Sequence, residues 1–268
     1  MKKYIKYFSS MVLVLGIAFM SSCGSDDEAV IPVVEPSLIK SIAIDYSGGS
    51  GDEVEKWEFI YDDTDRVTSI NNYWNGDLDD VITYDYSVAG KLTITKSGNP
   101  TVYVLDTEGR VVKELWNEDG TEYEAYQYDA DGRMTKVIEH YDGADHLKYE
   151  LTIVNGNVTN RIRYQDDGVT VREDRKFDYT VGDNVSGLHQ IYQVDSEWKN
   201  IGGTFGNQSK KLVDSYTRFI TDDPTSSFGA TFEYTFDDEN RVATQTKNGT
   251  GSGGPFSESW VYTYYEDK

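Results

Sequence analysis

The chain has 268 residues and a formal net charge of -22, and so acidic a surface repels phosphate backbones and anionic headgroups, which sets nucleic acid aside as a partner. With 38% hydrophobic and 13% aromatic residues, it still carries enough apolar surface to fold and is no disordered acidic tail.

Lys2, Lys3 and Lys6 make a basic start, Met11 to Met20 an apolar run, and Ser21 and Ser22 a small-residue end, the layout of a secretory signal over residues 1–22. The run is too short for a helix crossing a bilayer, which needs about 20 residues. Cys23 is the only cysteine, so an intramolecular disulfide is ruled out. Met20-Ser21-Ser22-Cys23 resembles the lipobox of bacterial lipoproteins, with Met20 where leucine is usual. The resemblance implies that the Cys23 thiol carries a diacylglyceryl group and that Cys23 begins the mature chain, anchored to the membrane by that lipid alone. Ser25, Asp26, Asp27 and Glu28, after Gly24, resemble the acidic export tag of Bacteroidota-type surface lipoproteins, which implies the outer face of the outer membrane. Loss of the signal's three lysines takes the formal charge from -22 to -25. Residues 23–37, with Pro32 and Pro36 and no sustained amphipathic period, read as a flexible tether. The folded domain is expected over 38–268.

That domain is written as a repeat. Trp57 to Val67, Ile82 to Leu92, Thr101 to Val111, Glu124 to Met134, Arg175 to Val185 and Phe232 to Val242 follow one template, with weaker copies at Ile153 to Val158 and around Ser209 to Leu212. Aromatic or apolar residues fall at every second place, as in Trp57, Phe59 and Tyr61, or Trp260, Tyr262 and Tyr264, which puts them on one face of an extended strand. Four places past the last aromatic stand Asp65, Gly90, Gly109, Gly132, Asp183 and Asn240, residue types that tolerate a left-handed backbone. Asp62, Asp106, Asp129 and Asp237 open the turn, where an aspartate bonds its own backbone. A type I turn followed by a left-handed residue is a hairpin with a bulge. Arg66, Lys91, Arg110, Arg133 and Arg241 start the return strand and offset the turn carboxylates. Second turns are expected at Asn75-Gly76, Ser97-Gly98-Asn99, Asp119-Gly120, Asp142-Gly143 and Asp167-Gly168.

Two turns per repeat give two strands, hence an all-β, antiparallel up-and-down meander of about 16 to 18 strands of about eight residues. So long a meander curls, because neighbouring strands twist by about 20 to 25 degrees and closure hides unpaired edges. A large barrel or nearly closed shell follows, either flattened until its aromatic stripes touch or wet and polar within.

The Tyr-x-Tyr-Asp-x-x-Gly-Arg-apolar motif resembles the tyrosine-aspartate repeats of Rhs-type wall and toxin-shell proteins, whose ribbons of strands curl into a closed shell. With the lipobox, the chain is similar to an uncharacterised group of Bacteroidota lipoproteins with a porin-like fold. The resemblance implies no catalytic residue. A membrane-spanning porin is disfavoured, because Glu58, Asp62, Lys113, Lys136 and Lys176 interrupt the strand faces where an apolar band is required.

No catalytic set, metal site or cofactor motif emerges. His140, His146 and His189 are scattered without ligand spacing. Asp129-Ala-Asp131-Gly132 begins like a calcium loop but has Ile138 where the closing acid belongs. Trp74, Trp116 and Trp198, near the second turns or in irregular sequence, are the candidate stacking platform for a glycan or an envelope protein, against a plain role in capping the barrel or pairing across strands. The irregular connections Gln193 to Gly206, Asp222 to Gly229 and Asn248 to Pro255 are the expected seats of binding. The expected function is a non-enzymatic binding or scaffold module. The alternatives are a polysaccharide hydrolase using a carboxylate pair and a purely structural shell.

Overall fold

The computed structural model describes residues 38–46, 54–180, 182–184, 187–188, 203–251 and 254–266. The signal, Cys23, the export tag, the tether, His189 and Trp198 lie outside them. Among the described residues, sixteen strands follow in chain order: β1 (Ile39–Asp45), β2 (Val54–Tyr61), β3 (Val67–Trp74), β4 (Asp77–Asp85), β5 (Lys91–Lys96) and β6 (Asn99–Leu105). Next come β7 (Val111–Leu115), β8 (Tyr123–Tyr128), β9 (Met134–Tyr141), β10 (Ala144–Val154), β11 (Asn157–Tyr164) and β12 (Val171–Asp178). The last are β13 (Ser215–Ile220), β14 (Phe228–Phe236), β15 (Val242–Gly251) and β16 (Gly254–Tyr264). Each pairs with its chain neighbours and β1 pairs antiparallel with β16, so the meander closes into a barrel.

Apart from Asn155-Gly156, a two-residue turn at the first end, the two ends use different turn chemistry. At one end, Asp65, Gly90, Gly109, Gly132 and Asn240 take the left-handed conformation, and at all of them but Gly90 the ladder beside the turn carries a register shift, as at Tyr61 and Tyr128. The opening aspartate accepts backbone bonds: Asp62 Oδ1 from Thr64 and Arg66, Asp106 Oδ1 from Glu108 and Arg110, Asp237 Oδ1 from Glu239 and Arg241. The following arginine pairs with the same carboxylate at 2.6 to 2.7 Å for Arg66, Arg110 and Arg241. Arg133 instead takes Asp131. The other end uses two-residue turns at Asn75-Gly76, Ser97-Gly98 and Asp142-Gly143, with both residues left-handed, the hairpin turn whose twist matches the strands. We call this end the mouth.

The tyrosines have a separate task. Tyr61, Tyr128, Tyr179 and Tyr264 each donate from the phenol to a carbonyl at the head of the preceding return strand, Ile39, Val111, Val158 and Val242, at 2.6 to 2.9 Å. Tyr234, two places earlier in its copy, does the same to Val213. Arg66, Arg110 and Arg241 stack over Tyr86, Tyr128 and Tyr264, one copy onward, at 4.5 to 4.9 Å. The motif therefore fixes the turn and also fastens each hairpin to the next, each bond contributing about 1 kcal/mol.

Three expectations are corrected. Asp183 is not a left-handed corner but bridges to Lys211. Ser209 to Leu212 is no strand pair: it belongs to the β12–β13 connection, whose described residues 203–212 lie across the end opposite the mouth. Asn248 to Pro255 is mostly strand, because β15 runs to Gly251 and β16 starts at Gly254.

Residues 204–210 of the β12–β13 connection plug the barrel end. Val111 N donates to Thr204 O, Asn207 N to Gly132 O and Lys210 N to Gly156 O, so residues 204–210 cap successive corners from β7 to β11. Phe205 enters the core edge-on to Tyr103 and Tyr126, at 6.0 and 5.2 Å. Around it lies one continuous interior of inward aromatic and branched side chains, including Phe59, Ile70, Leu92, Val137 and Leu212. The outer wall instead carries charged pairs along the strands, Lys56–Glu58, Lys136–Glu150 and Asp174–Lys176, a surface suited to water and costly in lipid.

Candidate functional site

Going from the plug towards the mouth, the inward face of the wall changes character. In β2, β8 and β16 the stripe of Trp57 and Phe59, of Tyr126 and Tyr128, and of Trp260 and Tyr262 continues two residues further, to Glu55, Glu124 and Glu258. The apolar floor thus gives way to a charged tier, and the tier to an aromatic rim.

Glu114, Glu124 and Glu139 stand opposite one another on β7, β8 and β9, a row of like charges that destabilises a sheet unless something compensates it. Lys148 supplies part of the compensation. It is the extra residue of a bulge in β10, which turns its side chain inward, and its ammonium meets Glu124 at 2.5 Å and Glu139 at 2.9 Å. Burial opposes the charge, but the two glutamates outweigh it and raise the Lys148 pKa. Tyr126 OH lies 2.6 Å from Glu124 and 3.1 Å from Glu114. Burial first, then both carboxylates, pushes the phenol well up.

Further round the wall, from β11 onward, the tier is basic. Arg161, Arg175 and Arg218, from β11, β12 and β13, all meet the Glu173 carboxylate, at 2.8, 3.1 and 2.6 Å. Glu173 is 2% exposed. Burial pushes its carboxyl up, but Arg175, Arg161 and Arg218 outweigh that and hold it at about 2. Burial lowers Arg161 and takes Arg175 down to about 10, the latter helped by its neighbour Arg161. The guanidiniums lie over rings: Arg161 and Arg163 on Tyr149, Arg175 on Tyr216, Arg218 on Phe228. Lys247 pairs with Glu258 and lies over Phe256.

Two of the three tryptophans singled out from sequence belong to the rim. Trp116, 42% exposed, stacks on Tyr141, which stacks on His146 at 4.3 Å. Trp74, 39% exposed, leans on Tyr46, whose phenol donates to Glu55. Each follows the tier by two residues on one strand face, Trp74 after Asn72 and Trp116 after Glu114. Of the expected binding connections, Asp222 to Gly229 leads into the rim through Phe228, with a short 3-10 turn at Pro224–Ser226. Residues 203–206 of Gln193 to Gly206 are in the plug, at the other end, and the rest lies outside the described residues.

The charged tier was missed by sequence reading, although Glu-x-Trp-x-Phe, Glu-x-Tyr-x-Tyr and Glu-x-Trp-x-Tyr announce its inward glutamates. Asn72 Oδ1 and Trp260 Nε1 are buried there or just beneath it without a hydrogen-bond partner, and a buried polar atom in that condition asks for a water or a ligand. No group of acids and histidines among the described residues is arranged to hold a metal ion.

No protein-family model matches the chain, and no curated protein matches it. Among solved structures it is similar to a porin-like protein from Bacteroides uniformis, at 14% identity and a TM-score of 0.66, over 86% of this chain and 100% of that one. A porin-like protein from Bacteroides vulgatus matches at 11% identity and a TM-score of 0.55, again over 86% of this chain and 100% of the other. At these identities the likeness concerns the fold.

Proposed function

We propose that the chain is a lipid-anchored, non-enzymatic binding module whose mouth takes a glycan. The observation that carries this reading is the stack of exposed Trp116 on half-buried Tyr141 and His146, directly above a tier of side chains rich in hydrogen-bonding groups. Sugar rings present an apolar face to aromatic rings and hydroxyls to carboxylates, amides and guanidiniums, and pockets of this composition bind such ligands.

Two experiments test it. On a glycan array the full chain is expected to bind a restricted set of oligosaccharides, and Trp116→Ala to weaken that binding by about ten-fold or more, since a stacked ring contributes about 1 to 3 kcal/mol. No binding to any glycan, or binding indifferent to Trp116, removes the reading. Separately, Cys23→Ala is expected to move the protein from the membrane fraction to the soluble fraction, and its retention in the membrane disproves lipid anchoring.

A hydrolase is the second reading, favoured by the Glu114, Glu124 and Glu139 row. Sugar released from a polysaccharide, and lost in Glu114→Gln, would replace binding by catalysis.

A further inference from the structure

We infer that the mouth is selective for acidic glycans, and that Arg218 is the residue that reads the acidic group. The inference rests on the glycan-binding reading above and adds the charge class of the ligand.

Arg218 differs from the other arginines of the tier. Its Nε is held at 2.6 Å by Glu173 Oε2, and its guanidinium lies 5.3 Å from the Phe228 ring. Those two contacts fix the plane of the group. Its side chain is 27% exposed, and among the described residues Nη1 and Nη2 donate no hydrogen bond. A guanidinium locked at Nε, stacked on one face and open at its terminal nitrogens is preorganised for a planar or tetrahedral oxyanion, which accepts two parallel N–H bonds. Carboxylate and sulfate share that chemistry. Phe228 and Phe256, 6.1 Å apart at the same part of the rim, give the adjoining sugar ring an apolar surface.

The chain's overall negative charge does not cancel this. Exposed charges are screened beyond about 8 Å at physiological salt, whereas Arg161, Arg163, Arg175 and Arg218 stand together around Glu173 and Tyr149. Long-range repulsion slows arrival, and the local field decides what stays.

Isothermal titration of the full chain with three tetrasaccharides tests the inference: tetragalacturonic acid for carboxylate, a carrageenan tetrasaccharide for sulfate, and uncharged cellotetraose. At least one anionic probe is expected to bind about ten-fold more tightly than cellotetraose, the worth of one charge-assisted bidentate contact, and the tighter of the two identifies the anionic group. Arg218→Gln is expected to bring the ratio to about one. Should that variant fail to fold, Arg218→Lys keeps a positive charge near Glu173 but loses the fork, and is expected to reduce the ratio about five-fold. Equal binding of neutral and anionic probes, or a ratio that survives in the folded variant, overturns the inference and leaves glycan binding intact. Binding of none of the three also overturns this inference, and the glycan array decides the glycan reading separately.

Discussion

Replacing Phe205 by alanine is expected to lower the unfolding free energy by about 3 to 5 kcal/mol, the range for removing a large aromatic from a packed core. In a domain of this size that is a fall of about 6 to 20 °C in the melting midpoint. Phe205 is 3% exposed, with its ring edge-on to Tyr103 and Tyr126, so its loss empties the centre of the plug. The effect is expected to be local first: the amides of Val111, Asn207 and Lys210, which donate to or from the plug, lose hydrogen-exchange protection, while those of the β9–β10 hairpin keep it. Gly206→Ala is a companion probe of the same seam. Gly206 has φ +85°, and an added Cβ would sit 2.7 Å from Tyr128 Cε1 and against Gly132 O. A loss below about 1 kcal/mol for Phe205→Ala, with protection at Val111 unchanged, would show that the plug does not depend on the ring.

The second large effect belongs to Glu173→Gln. The carboxylate accepts from Arg161, Arg175 and Arg218 at once, and removing one partner of a buried ionic cluster costs about 3 to 5 kcal/mol because the remaining charges stay buried. The substitution also changes the response to acid. Glu173 falls from an ordinary 4.5 to about 2 in the folded chain, so its stabilisation is complete above about pH 4.5 and is lost as pH drops through about 2. A shift of that size corresponds to about 3 kcal/mol. Urea midpoints measured every half unit from pH 6 to pH 2 are expected to fall more steeply below pH 4.5 in the native chain than in Glu173→Gln. Parallel curves would mean that Glu173 does not carry the acid dependence.

The fold was legible where chemistry is local. Asp62, the left-handed Asp65 and Arg66 lie within five residues, so their turn is dictated by neighbours in sequence, and repetition of that turn dictates the meander. The count of sixteen strands lies within the expected range. Strand alternation located the aromatic face, and the second turns at Asn75-Gly76 and Asp119-Gly120 placed Trp74 and Trp116 near strand ends, where they lie at the rim. What sequence did not disclose depends on distance. Arg161, Arg175 and Arg218 meet at Glu173 only because β12 and β13 pair across a connection of more than thirty residues, and nothing in the order of residues states that pairing. Phe205 lies where the repeat fades, since a segment that crosses strand ends has no reason to alternate. Asp183 misled because aspartate suits both a left-handed corner and an ordinary extended bridge.

The seam between β1 and β16 also bears on how the molecule is made. Ile39 stands beside Tyr264, so the ring is sealed by a contact between the two extremes of the domain, the costliest kind of loop to close and the slowest to form. A chain ending before residue 254 would carry every other ladder yet display two naked flanks, on β1 and β15, each a template for a neighbouring molecule. Maturation therefore waits on the last strand, and partial products are the species most prone to stick together.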